Sequence, residues 1–208
     1  MTVDSAFLIT TFVTLFVVID PLALTPLFLA LTRGKPARQR RAIAIRASLT
    51  AIGILTVFGA FGEAVLEFAG ISMPAFRVAG GLLLFLTALD MLFERRTKRR
   101  ENQAEDDDDE HDPSVFPLAI PLIAGPGSIA SMILLAGQHP GAEGLATVVV
   151  VMVVVVALSM VTFMFSGLME RLLGKTGINV ITRLLGMLLA ALAVQFVLDG
   201  LRDFGLTV

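Results

Sequence analysis

The chain has 208 residues, of which 56% are hydrophobic, and its mean hydropathy is +0.85. This apolar share is far above that of a soluble globular domain, so most of the chain is expected to face lipid. The formal net charge of −2 arises from charges segregated into short stretches, and no nucleic-acid partner is expected. With no cysteine, the chain has no disulfides and no thiol chemistry.

Six apolar segments approach the roughly 20 residues that a membrane-spanning helix needs. In chain order they are 7–31, 47–69, 74–93, 115–136, 145–168 and 178–198. The first is interpreted as a retained transmembrane helix, because it lacks the basic start and the small-residue cleavage site of a signal peptide. The pattern predicts an all-α polytopic membrane protein with six transmembrane helices in a lipid bilayer.

Lysine and arginine residues set the expected orientation. They cluster after the first, third and fifth segments, whereas the alternate loops at 62–72 and 137–144 contain none. Because cytoplasmic loops carry the excess of basic residues, both termini are expected outside, on the periplasmic side of a bacterial inner membrane.

Residues 94–113 form the longest hydrophilic connector. Its basic first half is expected to lie on anionic head groups, and its acidic half, 101–112, contains four successive aspartates at 106–109. One interpretation is a divalent-metal or regulatory site. The other, which we favour, is a solvated linker extended by repulsion between like charges. The connector divides the chain into a first repeat (1–93) and a second repeat (114–208).

Two short motifs each occur twice. The first is PLALTP at 21–26 and PLIAGP at 121–126, and the second is RVAG at 77–80 and RLLG at 183–186. Since each half contains three predicted helices, the second half would enter the membrane upside down, as in the inverted repeats of many secondary transporters. Chance matches between common membrane residues are the alternative, but the shared order, at offsets of 100 and 106, favours duplication.

The proline motifs lie in the middle of predicted spans. Proline removes a backbone N–H and clashes with the preceding turn, so helices 1 and 4 are predicted to break near the midplane, at each proline. A restarting half-helix offers N–H groups to a carboxylate, and Asp20 would face the ammonium group of the same zwitterion, cap the helix, or do both. The candidate substrate-binding residues are Asp20, Pro21, Thr25, Pro26, Gly125, Pro126, Gly127 and Ser128.

Arg77 and Arg183 lie inside predicted helices 3 and 6 and have two interpretations. They are substrate or gating charges, with Asp20 as a candidate partner, or structural charges that reach the membrane interface. No enzyme is expected, because His111 and His139 fall on opposite sides of the membrane and neither can activate Ser128. No cofactor and no metal site is predicted.

The run FPLAIPLIAGPGSIA at 116–130 resembles the signature of the MarC family of inner-membrane proteins. FRVAGGLLLFL at 76–86 and the stretch 186–200, which ends in QFVLDG, resemble two further signatures, so the similarity covers nearly the whole chain. The resemblance implies six helices, an inner-membrane location and transport of small neutral amino acids such as glycine and alanine. The family's first motif has Gly and Asn where this chain has Ala23 and Leu24, which makes that half of the site less polar.

Two functions fit these features. The first is a secondary transporter that moves a small zwitterionic amino acid by alternating access, with a proton or another cation as candidate coupling ion. The second is a non-transporting channel or an interaction protein that acts through its cytoplasmic linker. Deleting residues 102–110 separates the two, because transport should survive the deletion and a linker-centred function should not.

Overall fold

The computed structural model describes residues 4–95 and 112–206, and within these ranges the chain is helical apart from short connections. The all-α prediction is therefore confirmed for this part of the chain. Most of the predicted linker at 94–113, including its acidic run, lies outside the described residues. The helical segments are α1 (Ser5–Ile19), α2 (Pro21–Leu31), α3 (Ala37–Phe68), α4 (Met73–Leu92), α5 (Ser114–Ile123), α6 (Pro126–Gln138), α7 (Ala142–Met164) and α8 (Ser166–Asp203).

Five spans in these ranges are long and apolar enough to cross a membrane, and the bent pair α5–α6 makes a sixth if it counts as one span. The first span, Ser5–Leu31, contains both α1 and α2. The second differs most from its prediction, because α3 begins at Ala37 instead of residue 47. Residues 37–46 are rich in arginine, so hydropathy does not identify them as part of a span. They nevertheless form the first turns of α3, which is longer than a bilayer requires.

The first span lies at the centre of the helix bundle. In its most apolar stretch 61% of the residues are buried, against 28–39% in the other four spans that cross unbent. On α6, all residues from 130 to 135 are buried, so this helix is enclosed on every side. The outer helices expose large apolar side chains such as Phe61 and Leu184, as lipid-facing helices do. The interrupted segments therefore form the core.

Helices α4 and α8 pack against each other in antiparallel directions. A Cβ added at Gly81 would lie 2.9 Å from the Ala193 carbonyl oxygen, and one at Gly200 would lie 3.0 Å from that of Pro74. Glycine at these positions lets the two backbones approach, which is the usual way that membrane helices gain packing contacts. The membrane-spanning part of α8, Thr176–Asp203, begins just after Gly174, whose φ of 61° interrupts the helix.

The end of the linker is tied to α3. Asp112 accepts hydrogen bonds from the Ser114 N–H (3.1 Å) and the Arg46 guanidinium. Burial by itself would raise the pKa of the Asp112 carboxyl, but the bonds from Ser114 and the charge of Arg46 outweigh it and lower that pKa below its ordinary value. Asp112 therefore stays ionised and anchors the start of α5.

Candidate functional site

The first interruption is built around Asp20, which ends α1 and starts α2. Its backbone is left-handed, with φ 56° and ψ 69°. A residue before proline is pushed out of the right-handed helical region, and Asp tolerates the left-handed one better than most residues. Asp20 Oδ1 accepts a hydrogen bond from the Ala23 N–H at 3.3 Å, which caps α2. The capping role considered for Asp20 is thus present.

The second carboxylate oxygen of Asp20 is unused by the protein. Asp20 is fully buried, and its Oδ2 has no hydrogen-bond partner within the described ranges. Burying an ionised carboxylate without a partner is costly, so such groups are normally paired. Asp20 Oδ2 is therefore an acceptor inside the bundle to which a cationic or hydrogen-bonding ligand group can bind.

The remaining candidates of the first half lie within α2. Thr25 Oγ1 donates to the Pro21 carbonyl at 2.9 Å, and Thr162 Oγ1 of α7 lies 3.3 Å from the same oxygen while donating to the Ser159 carbonyl at 2.8 Å. The expectation that Pro26 opens the helix a second time is wrong, because α2 continues through it to Leu31. Pro26 lacks the N–H that would bond the Leu22 carbonyl four residues earlier, and α2 continues without that bond.

The second interruption lies between α5 and α6, whose axes are bent by 56°. The backbone of α5 is extended at Phe116 and Ile120, each of which precedes a proline. A Cβ at Gly125 would lie 2.5 Å from the Pro121 carbonyl oxygen, so only glycine fits at this turn. The absence of a side chain at Gly125 therefore serves the local turn.

Helix α6 begins at Pro126 without a side-chain cap. Ser128, expected either to cap or to bind, donates its hydroxyl to the Ile123 carbonyl at 2.7 Å. The N–H groups of a helix's first turn have no partners within the helix, and they lie at the positive end of its dipole. The start of α6 can therefore receive a small anionic group.

The two interruptions meet at Gly127. A Cβ placed there would lie 3.2 Å from Val18 Cγ1 and 3.7 Å from Thr87 Oγ1. Val18 is two residues before Asp20 and is itself buried, so the start of α6 packs against the end of α1 beside α4. The structure thus places Gly127, a candidate of the second half, beside the end of α1, two residues in sequence from Asp20. Thr87 was not predicted, because an isolated threonine in an apolar helix carries no distinguishing signal.

Arg77 and Arg183 are paired away from Asp20. Arg77 Nη1 donates to Asp203 at the end of α8, and Arg183 Nη2 donates to Glu94 Oε1, just past α4, at 2.8 Å. These ion pairs join α4 to α8 at opposite ends of the antiparallel pair. The direct pairing with Asp20 that was one interpretation of these arginines does not occur, whereas a structural charge agrees with their contacts.

A cavity of about 260 Å³ opens beside the first half of the site. Its lining includes Phe28 and Phe163, whose rings stack with centroids 4.7 Å apart. Arg40 also lines it, 5.8 Å from the Phe28 ring centre, and donates to Ser166 Oγ at 2.8 Å. Phe163 follows Thr162, whose hydroxyl lies 3.3 Å from the Pro21 carbonyl oxygen, so the cavity and the first interruption contact neighbouring residues of α7.

The family model described as MarC family integral membrane protein matches residues 5–204 of the chain. The chain is 37% identical over 200 residues to the UPF0056 membrane protein YvbG of Bacillus subtilis, covering 95% of each protein. It is 33% identical over 202 residues to the UPF0056 membrane protein MJ1677 of Methanocaldococcus jannaschii, covering 96% of this chain and 98% of the relative.

The UPF0056 inner membrane protein YhgN of Escherichia coli is 34% identical over 190 residues, covering 91% of this chain and 93% of the relative. No solved structure matches the chain.

Proposed function

The chain belongs to the MarC family of integral membrane proteins, and from this premise we propose that it is a secondary transporter of small neutral amino acids, of the glycine or alanine class. It moves its substrate across the inner membrane by alternating access. The inner-membrane location is supported by the name of the Escherichia coli relative, and the orientation with both termini outside rests on the distribution of basic residues.

The observation that carries this proposal is the meeting of the two helix interruptions inside the bundle. The buried Asp20 carboxylate has a free oxygen, and the uncapped start of α6 at Gly127 contacts Val18, two residues away in sequence from Asp20. A zwitterion matches both features, with its ammonium group on Asp20 and its carboxylate on the α6 N–H groups. A Cβ at Gly127 would already lie 3.2 Å from Val18 Cγ1, and this lack of room beside the start of α6 favours a substrate with a very small side chain.

Alternating access would use the two halves of the chain as inverted repeats. Two features support this: the repeated sequence motifs, and the antiparallel packing of α4 and α8 with Arg77 and Arg183 paired at opposite ends. Each half contributes one interrupted segment to the centre, where transporters of this kind bind their substrates. The cavity at Arg40, which the Phe28–Phe163 stack lines, would then be the cytoplasmic vestibule.

Uptake by purified protein in proteoliposomes tests this function. Labelled glycine, alanine, serine and threonine are supplied with and without an imposed proton or sodium gradient, and vesicles without protein serve as the control. We expect gradient-dependent uptake of glycine and alanine above that of the control. If no labelled amino acid enters above the control level under any gradient, this function is wrong.

A further inference from the structure

Helices α1 and α6 form a second polar region beyond the interruptions. They run antiparallel, because Val18 near the end of α1 contacts Gly127 near the start of α6, and Phe7 near the start of α1 contacts His139 just past the end of α6. The Phe7 and His139 rings lie edge to face with centroids 4.1 Å apart. These two contacts define the inner and outer ends of the α1–α6 interface.

Hydroxyl groups occupy the interface between these ends. Thr11 and Thr14 share the helix face of Phe7 and Val18, with successive spacings of four, three and four residues. Ser131 is one turn beyond Gly127 on the facing side of α6, and the antiparallel register places it opposite Thr14. We call Thr11, Thr14 and Ser131 the hydroxyl seam.

The hydroxyl seam is buried and unpartnered. All three residues have no exposed surface, and within the described ranges the Oγ atoms of all three lack a hydrogen-bond partner. Other membrane-span hydroxyls bond the carbonyl oxygen four residues earlier, as in Thr25, Thr32, Thr87 and Ser159. Ser48 on α3 and Thr182 on α8 are unpartnered too within the described ranges, but neither lies on α1 or α6.

Buried hydroxyls without partners are unfavourable, and three along one interface indicate a polar ligand. Resting on the proposed function, we propose that the hydroxyl seam is the outer half of the translocation pathway. It binds water and the ammonium and carboxylate groups of the amino acid when α1 and α6 separate. A hydroxyl both donates and accepts hydrogen bonds, so the uncharged hydroxyl seam can bond the ammonium group and the carboxylate of a zwitterion without binding either of them tightly.

The structure then corresponds to a pathway closed on this side. The hydroxyl seam is buried throughout, and the Phe7–His139 contact covers its outer end. Opening requires α1 to move away from α6. This movement would expose the three residues of the hydroxyl seam, which lie between His139 at the outer end and Gly127 at the inner end. The seam is therefore expected to be reached from the outside only in the opened state, and substrate is expected to alter that access.

The absence of native cysteine makes this inference directly testable, because an introduced thiol is then the sole thiol in the protein. Thr14→Cys and Ser131→Cys are treated in right-side-out membrane vesicles with a membrane-impermeant trimethylammonium-ethyl methanethiosulfonate, with and without glycine. Leu15→Cys is the matched control, because Leu15 is equally buried and adjacent to Thr14 but lies on another face of α1. Glycine uptake is measured in the same vesicles.

We expect the two seam thiols to react about tenfold faster than the control thiol, since a buried group reacts only when its surroundings open. Modification should block uptake, and glycine should change the reaction rate. Seam thiols that react no faster than the control, in vesicles whose uptake is intact, overturn the pathway and leave the proposed function standing. Absence of uptake by the wild-type protein overturns the proposed function itself.

A second pair of variants separates hydroxyl chemistry from packing. Thr14→Val preserves the shape of the side chain and removes the hydroxyl, whereas Thr14→Ser keeps it. For a pathway residue, Thr14→Val should lower the uptake rate severalfold at normal protein levels and Thr14→Ser should restore most of it. If the Thr14 hydroxyl were merely structural, Thr14→Val should leave uptake unchanged, because the variant removes only an unpartnered buried group. Unchanged uptake by Thr14→Val would therefore contradict the inference.

Discussion

Asp20 performs three separable tasks, and substitutions can remove them one group at a time. It caps α2 through Oδ1, it adopts a left-handed backbone, and its buried Oδ2 has no partner among residues 4–95 and 112–206. Asn retains the cap and tolerates the left-handed backbone but has no charge. Leu has no cap, no charge and no preference for that backbone. The comparison of Asp20→Asn with Asp20→Leu therefore isolates folding effects from the loss of charge.

The expected folding difference between the two variants is modest. Loss of the cap costs about 1 kcal/mol, and a left-handed backbone costs a residue such as Leu a further ~1 kcal/mol. Asn leaves an amide group at the position of the unpartnered Oδ2, and a buried amide without a partner costs about 1–3 kcal/mol, whereas Leu buries no polar group there. These effects oppose each other, so the free energies of unfolding of the two variants should differ by no more than about 2 kcal/mol, against the roughly 5–15 kcal/mol of a typical domain.

The expected transport difference is larger. A hydrogen bond to a charged group contributes about 1.5–3 kcal/mol and one to a neutral group about 0.5–1.5, so Asn should weaken ammonium binding by roughly 1.5 kcal/mol, about tenfold in affinity. We expect Asp20→Asn to transport glycine with a KM raised about tenfold and Asp20→Leu to show no uptake. Glu63→Gln neutralises an exposed acid on α3 and should leave uptake unchanged.

Proteoliposome uptake over a range of glycine concentrations supplies KM, and detergent melting of the same preparations shows whether the variants are folded. An Asp20→Leu protein that transports normally would remove this residue from the site. An Asp20→Asn protein as inactive as Asp20→Leu, although folded, would refute substrate contact through a hydrogen bond and would indicate that the charge itself is required.

Three further changes test other parts of the molecule. Gly127→Val should abolish uptake in an inserted, folded protein, because a Cβ at this position would already lie 3.2 Å from Val18 and the valine methyl groups would extend further. Gly127→Ala should retain part of the uptake. Uptake at the wild-type rate by Gly127→Val would contradict this prediction. Gly81→Ala should lower the melting midpoint, because its Cβ would lie 2.9 Å from the Ala193 carbonyl oxygen. Gly53→Ala is the control and should leave the midpoint unchanged, because nothing lies within 4 Å of a Cβ there. Equal midpoints for the two variants would refute the packing argument. Deleting residues 102–110 should leave glycine uptake near the wild-type rate, and loss of uptake by a protein with normal expression would favour a function centred on the linker.

Hydropathy and local motifs by themselves determined the class of this protein and the approximate positions of its spans. A segment that crosses lipid must satisfy its backbone within its own helix, so about 20 apolar residues specify a helix whatever surrounds them. The boundary at Ala37 was missed because the first turns of α3 are basic, and helical hydrogen bonds continue where hydropathy ends. Asp20 was found as a helix cap because capping depends on residues within one turn.

The contacts between distant segments were decided only by the tertiary structure. The residues next to Arg77 in sequence do not predict that it pairs with Asp203, and those next to Gly127 do not predict its contact with Val18. Local rules for proline predict a break at Pro26, whereas the packed helix continues through it. Whether a serine or threonine hydroxyl bonds its own helix or stays unpartnered depends on the facing helix. The hydroxyl seam therefore emerged only once α1 and α6 were packed together.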